Sequence, residues 1–254
     1  MLAMLRRGLL LLLLRTAAVA ALAATPSNAK QQAERERLSA IFTANAKGHA
    51  ISKAETAQIR AVGGARADRY GEITPKGFSK LGRRIKLASD DIYADCGSGI
   101  GMSVMQAVSE FDVRGARGIE LSSTRHEAAV RELALQPEEV ASRVQLHCGD
   151  CADRELWSGA LLKDVTVVYM CSELFNDELM RRLARRFESS ECLRAIATLK
   201  RFPDGGLPGY LREEPPERCE MSWTAALSNP NAFDGTDDEN SGAPVHIYVR
   251  RELS

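Results

Sequence analysis

The sequence predicts an α/β chain built on a doubly wound, mostly parallel sheet, and three observations carry that prediction. Short apolar, strand-like runs alternate with amphipathic helical runs between residues 92 and 200. The first strand leads into an acid and three closely spaced glycines, in the run Asp91-Ile92-Tyr93-Ala94-Asp95-Cys96-Gly97-Ser98-Gly99-Ile100-Gly101. Two more strand-like runs close the chain after the last helix. Alternation of this kind gives parallel strands with helices packed on both faces of the sheet. With 254 residues, 44% of them hydrophobic, the chain can bury one sizeable core. The expected organisation is a leader over 1–29, a small helical extension over 30–69 and one principal domain over 70–254.

The elements follow in order. Basic Arg6 and Arg7, the apolar run Gly8 to Leu14, then Arg15 and an Ala-rich stretch come before the first acid, Glu34. That pattern belongs to a targeting segment: a secretory signal, or an organellar transit peptide given that Arg15 interrupts the apolar core. The run is too short to span a bilayer, so no transmembrane span is expected in the mature chain. Lys30 to Phe42 favours helix, and Ser52 to Arg60 opens with a Ser-x-x-Glu capping box formed by Ser52 and Glu55. Thr74 and Pro75 form an N-cap and first-turn pair, after which Phe78, Leu81 and Ile85 recur at helical spacing up to Ser89. Strands are read at Ile92–Asp95, Arg117–Leu121, Val144–Cys148, Val165–Met170 and Ala195–Lys200. Helices are read between them at Met102–Phe111, Thr124–Leu135 and Asp177–Glu188. The runs Cys219–Thr224 and Val245–Arg250, joined by a polar loop with Asn229-Pro230-Asn231 and Asp237-Asp238-Glu239-Asn240, read as an antiparallel hairpin.

Charge and cysteine usage narrow the function. Lys and Arg number 34, as do Asp and Glu, so no global field attracts nucleic acid and weak or no binding to it is expected. Arg181, Arg182, Arg185 and Arg186 form one basic patch that reads as a solvated helix face. Of the six cysteines, most fall in or beside strands and read as reduced core thiols. Cys148-Gly-Asp-Cys151 has C-x-x-C spacing but lacks the second pair or the histidines that zinc requires, so no metal site is expected.

The chemistry concentrates at the strand ends. Glycines after the first strand let the main chain approach a ligand, the following helix points its N–H groups there, and Glu120 ends the next strand where it can accept ribose hydroxyls. A dinucleotide fingerprint needs G-x-G-x-x-G, whereas Gly97, Gly99 and Gly101 run G-x-G-x-G with Asp95 two residues before the first. That spacing suits S-adenosylmethionine (SAM), with Asp95 facing a ligand ammonium. Asp150, just after the third strand, can accept from an adenine amino group. The fourth strand ends Tyr169-Met170-Cys171-Ser172-Glu173-Leu174-Phe175. Cys171 and Ser172 there are candidates to face the transferring methyl group, and Phe175 packs either on adenine or in the core. Upstream, Tyr70-Gly71-Glu72-Ile73-Thr74 suits a loop folded over the cofactor. A parallel sheet finished by an antiparallel hairpin is the arrangement of class I, Rossmann-like SAM-dependent methyltransferases.

These motifs, in this order and together with Ser222-Trp223-Thr224 in the expected hairpin, resemble the non-SET histone lysine methyltransferases of the disruptor-of-telomeric-silencing type. The resemblance covers about Tyr70 to Arg250. It implies SAM as cofactor and a protein lysine, histone by resemblance, as acceptor. Tyr70, Glu72 and Thr74 would cover the methionine part, Asp95, Gly97 and Gly99 form the cofactor turn with Gly101, and Glu120 hold the ribose. Asp150 and Phe175 would hold adenine, and Trp223 would wall a narrow lysine channel. The chain departs from the family in carrying Cys171 and Ser172 where it has paired Asn, Cys151 where it has an aromatic, and His246-Ile247-Tyr248 where it has adjacent tyrosines. The lysine-rich nucleosome-binding segments are missing too. The family resemblance implies a nuclear chromatin regulator, whereas the leader suggests a secretory or organellar route. The alternative readings are a methyltransferase for a small molecule or a non-histone protein, and a binding module that kept the cofactor pocket.

Overall fold

The computed structural model describes residues 36–37, 50–225 and 242–251. The leader expected over 1–29, most of the helix expected over Lys30–Phe42 and the polar loop holding Asn229 to Asn240 lie outside the described residues. Chain contacts divide the molecule into Met1–Glu36 and Arg37–Ser254, and the sheet with its flanking helices belongs to the second unit.

In chain order the elements are α1 (Lys53–Gly63), α2 (Pro75–Arg84), β1 (Ile92–Cys96), α3 (Met102–Phe111), β2 (Gly115–Glu120), α4 (Ser123–Ala134), α5 (Glu138–Ala141), β3 (Val144–Cys148), α6 (Arg154–Ser158), β4 (Val167–Met170), α7 (Asp177–Ser189), β5 (Ala195–Thr198), β6 (Tyr210–Arg212), β7 (Glu217–Cys219), α8 (Ser222–Ala225) and β8 (Ala243–Arg250). The sheet runs β3-β2-β1-β4-β5-β8-β6, with β7 added to β8. β1 through β5 pair parallel, and β8 enters antiparallel between β5 and β6. This is the expected doubly wound sheet, and its order reverses between β1 and β4, where such sheets open a ligand crevice.

Alternation along β1 builds two apolar layers. Tyr93 joins Phe78 and Leu81 of α2 and Val104 and Met105 of α3 on one face. Ile92, Ala94 and Cys96 join Leu183 and Phe187 of α7 and Trp157 of α6 on the other. With both faces covered, strands that read as continuous apolar runs are what burial demands.

Most boundaries fall within a few residues of the expected ones, but α2, the terminal hairpin and three short elements differ. α2 stops at Arg84 rather than near Ser89, because Lys86 turns left-handed (φ 53°) and Leu87 N–H donates back to the Gly82 carbonyl at 2.8 Å. The strand expected over Cys219–Thr224 covers only Glu217–Cys219, and Ser222-Trp223-Thr224 forms a helical turn outside the hairpin. Local bonds explain this: Met221 N–H donates to Thr224 Oγ1 at 2.9 Å, and Ser222 N–H to the Glu72 carbonyl at 2.8 Å. β6, three residues long and directly after the Pro/Gly-rich stretch 203–209, is a strand the sequence pattern does not predict. Nor does it predict the short helices α5 and α6.

At the opposite end of the sheet from the crevice, Asp91 joins three strands. Its carboxylate accepts from Arg194 Nη2 at 2.6 Å and Nε at 2.8 Å, ahead of β5, and from Thr166 Oγ1 at 2.7 Å, ahead of β4. Burial pushes its pKa up, but the bonds from Arg194, Thr166 and Ala88 N–H outweigh burial and leave it below the ordinary carboxylate value. Its stabilisation is therefore present above the unfolded pKa and lost as pH falls through the lower folded one. Asp91→Ala should cost about 2 kcal/mol at neutral pH, since Arg194 stays partly exposed. Thermal unfolding should show the gap between variant and wild type closing below about pH 4.

Candidate functional site

β1 ends at Cys96, and the chain then turns beneath an open cleft. Gly97 (φ 97°) and Gly99 (φ 55°) take left-handed conformations that a side chain would strain. A Cβ on Gly99 would also fall 3.0 Å from the Tyr70 ring. The turn is tied to β2: Gly97 and Ser98 N–H both donate to the Ile119 carbonyl at 2.8 and 3.1 Å, and Gly99 N–H donates to Glu120 Oε2 at 2.9 Å. Ser122 N–H donates to the other oxygen of Glu120 at 2.9 Å, so two backbone amides from separate loops aim this carboxylate.

The cleft spans about 920 Å³ including its mouth and brings together Tyr70, Glu72, Asp95, Gly97, Gly99, Glu120, Asp150, Cys171 and Phe175. Two of its acids are incompletely satisfied. Asp95 accepts from Ser103 Oγ on one oxygen, and its Oδ1 has no partner; Glu72 Oε1 has none either. Burial raises both, each to about 7; the Ser103 hydroxyl beside Asp95 and the Tyr70 hydroxyl beside Glu72 pull back against it, and the negative charges of Glu120 on Asp95 and of Asp95 on Glu72 add to the rise. Asp150 is already engaged. Its Oδ1 accepts from Ala152 N–H at 2.9 Å and its Oδ2 from Arg182 Nη2 at 2.6 Å.

Four expected site residues do not line the cleft. Thr74 caps α2 instead, its hydroxyl accepting from Gly77 N–H at 3.0 Å and donating to Glu220 Oε1 at 2.8 Å. Gly101 is the left-handed N-cap of α3. Ser172 is fully buried, sharing a 2.5 Å hydrogen bond with Thr198 Oγ1 and accepting from Lys200 N–H, which fastens the end of β4 to β5. Trp223 packs on Gly71 so closely that a Cβ there would fall 2.6 Å from its ring. His246 in β8 likewise lies outside the cleft and is buried.

Sequence reasoning missed several wall residues. Ile59, Val62 and Gly63 of α1 line the cleft, as does Arg125 of α4. Arg125 is buried, donates to the Asp68 carbonyl at 2.6 Å and stands 5.1 Å over the Tyr70 ring. A cation in the first turn of a helix opposes the macrodipole and so signals a partner elsewhere. Of the C-x-x-C pair, Cys148 is exposed while Cys151 lines the cleft against buried Cys96. Among the described residues no group of three or more His, Cys, Asp or Glu is placed to hold a metal. Among the same residues no helix is long and apolar enough to cross a membrane.

A glycine turn after β1, an acid closing β2 and a cleft at the sheet's point of reversal define the class I SAM-dependent methyltransferases. Residues 53–206 match the family described as histone methylation protein DOT1, and the chain belongs to that family. It is 32% identical over 151 residues to the H3 lysine-79 specific histone-lysine N-methyltransferases of two strains of Cryptococcus neoformans var. neoformans serotype D. The match covers 54% of this chain and 22% of each relative's length. Among solved structures, the methyltransferase domain of bacterial CtHen1-C superposes with a TM-score of 0.49 at 11% identity, covering 70% of this chain and 98% of that one. A putative methyltransferase from Escherichia coli gives 0.48 at 14% identity, covering 70% and 87%.

The raised acids set a pH dependence. Between about pH 4 and 7 the folded state holds protons on Glu72 and Asp95 that the unfolded chain has released, so ligand-free stability should fall as pH rises through that window. An ammonium-bearing ligand prefers the ionised acids. Calorimetry should therefore show S-adenosylhomocysteine binding tighter by on the order of tenfold at about pH 8 than at about pH 6, with proton release at the lower pH. Glu72→Gln should flatten the profile.

Proposed function

We propose that this chain transfers a methyl group from SAM to the side-chain amine of a protein lysine, with a histone as the acceptor that the family suggests. The observation that carries the reading is the convergence of unpartnered oxygens on Glu72 and Asp95 with the glycine turn and Glu120 in one cleft, inside the segment that matches the family. These residues fit the cofactor. Glu72 and Asp95 can take its ammonium, Glu120 keeps lone pairs for ribose hydroxyls, and Phe175, Ile119 and Leu121 offer an apolar wall near Asp150 for the base. Bound there, the cofactor supplies an electrophilic methyl group on a sulfonium.

The remaining chemistry falls to the chain. An acceptor lysine attacks only as a neutral amine, and burial beside Tyr169 and Cys171 would favour the neutral form. Cys171, where the resemblance implies an amide, donates to the Gly71 carbonyl at 3.3 Å. Burial first, and then the charge of Asp95, push its thiol well above the ordinary value, so it stays a neutral wall group rather than a competing thiolate. Aligning amine, methyl and sulfur and excluding water supply most of the rate.

The test is incubation of the full chain with labelled SAM, core histones and a lysate of the native cell. Label on protein lysine is expected, and Glu120→Ala should weaken cofactor binding by at least about tenfold. Label confined to metabolites would support a small-molecule acceptor, and cofactor binding without any label a binding module. A histone acceptor also requires nuclear placement of the tagged full chain, against the secretory or organellar route that the leader suggests.

Nucleic acid should bind weakly. Arg181 pairs with Asp204 at 2.5 Å, Arg182 with Asp150 at 2.6 Å and Arg185 with Glu178 at 3.7 Å, while Arg186 donates to the Ala152 carbonyl. Mobility shifts should give affinities of about 10⁻⁴ to 10⁻⁶ M at physiological salt. A nanomolar, steeply salt-dependent complex lost when the four arginines become alanine would overturn this.

A further inference from the structure

We propose that Glu55 is a positioning residue for Glu120, acting through Ser122 by capping two helices with one carboxylate; this rests on the reading of Glu120 as the ribose-binding acid. Glu55 belongs to α1, distant in sequence from the glycine turn, yet its oxygens meet five donors. Oε2 accepts from Ser52 N–H and from Thr124 Oγ1, each at 2.9 Å. Oε1 accepts from Ser122 Oγ at 2.9 Å, Ser123 Oγ at 3.1 Å and Thr124 N–H at 2.9 Å. The first of these bonds closes the capping box of α1, and the others fill the open N-terminus of α4, where an anion meets unsatisfied amides and the positive end of the dipole.

Ser122 is the link. Its hydroxyl donates to Glu55 and accepts from Arg125 N–H at 3.2 Å, which fixes the residue as the N-cap of α4. Its amide then points at Glu120 Oε1. Backbone amide, hydroxyl and Glu55 form one chain ending on the carboxylate that would hold the ribose. The same helix end holds the cofactor loop through Arg125, its bond to the Asp68 carbonyl and its place over Tyr70. The far end of α1 is fastened separately, since Asn176 N–H donates to the Gly63 carbonyl at 2.7 Å. Loss of Glu55 should therefore act at Ser122 and Glu120 rather than release the whole of α1.

A double-mutant cycle tests this. S-adenosylhomocysteine affinity is measured by calorimetry for wild type, Glu55→Ala, Glu120→Ala and the double variant. Glu55→Ala should raise Kd by about tenfold in the wild-type background and by less than about twofold when Glu120 is already alanine, because both changes act through one carboxylate. Equal effects in the two backgrounds, or no effect in either, would overturn the proposal. Glu55→Gln, which keeps an acceptor oxygen, serves if the alanine variant fails to fold and should show an intermediate Kd. Amide hydrogen exchange on the ligand-free chain separates this proposal from the cofactor reading. In the Glu55 variants the Ser122 amide should exchange about tenfold faster or more while Ala94 in β1 keeps its protection. Unchanged exchange at Ser122 sinks the positioning role, whereas a wild-type chain that binds no S-adenosylhomocysteine sinks the cofactor reading alone.

Discussion

Buried carboxylate oxygens without partners are the constraint around which this molecule is arranged. An ionised acid out of water and unpaired costs several kcal/mol, so it is tolerated only where it becomes protonated or where a cation arrives. Asp95 sits in the middle of the sheet's edge with one oxygen satisfied by Ser103 and the other bare. Glu72 approaches from the loop before α2 with Oε1 bare as well. A chain selected for stability alone would pair or remove them. Their retention beside a turn stripped of side chains describes a site whose native state is completed by a positively charged ligand.

The wall bearing Glu72 is also bound to the chain's far end. Ile73 bridges Met221 antiparallel, Thr74 N–H donates to the Glu220 carbonyl at 3.1 Å, and Ser222 N–H reaches back to the Glu72 carbonyl. Trp223 then lies against Gly71, where only a glycine fits. Trp223 is thus coupled to the cofactor acids mechanically, through a two-sided backbone zipper, without itself lining the cleft.

Much of the fold was legible in the sequence because its determinants are local. The strand-to-glycine turn, the acid closing β2 and the caps at Ser52 and Thr74 are set by neighbouring residues and by periodicity. What sequence could not give were contacts between segments far apart. Thr74 is readable as the cap of α2, but the second bond of its hydroxyl, to Glu220 146 positions away, is not. Ser222-Trp223-Thr224 looks extended until the reach of Ser222 to Glu72 is known. The capping box of α1 was readable, but the second service of Glu55 at α4 was not, since nothing near Glu55 specifies what approaches it.

Asp150 shows how such distant pairings shape the site's chemistry. It is the acid proposed for the adenine end, but Arg182 from α7 holds one of its oxygens and the Ala152 amide the other. Each oxygen keeps a second lone pair, so the carboxylate can still accept from a base amino group, now from a fixed orientation. The same ion pair removes Arg182 from the basic stripe, as Asp204 and Glu178 do for Arg181 and Arg185. A helix face that reads from sequence as solvated positive charge is therefore, in the fold, partly a brace: Arg182 and Arg186 hold the loop after β3, whose Asp150 and Cys151 line the cleft, while Arg181 reaches Asp204 in the loop after β5.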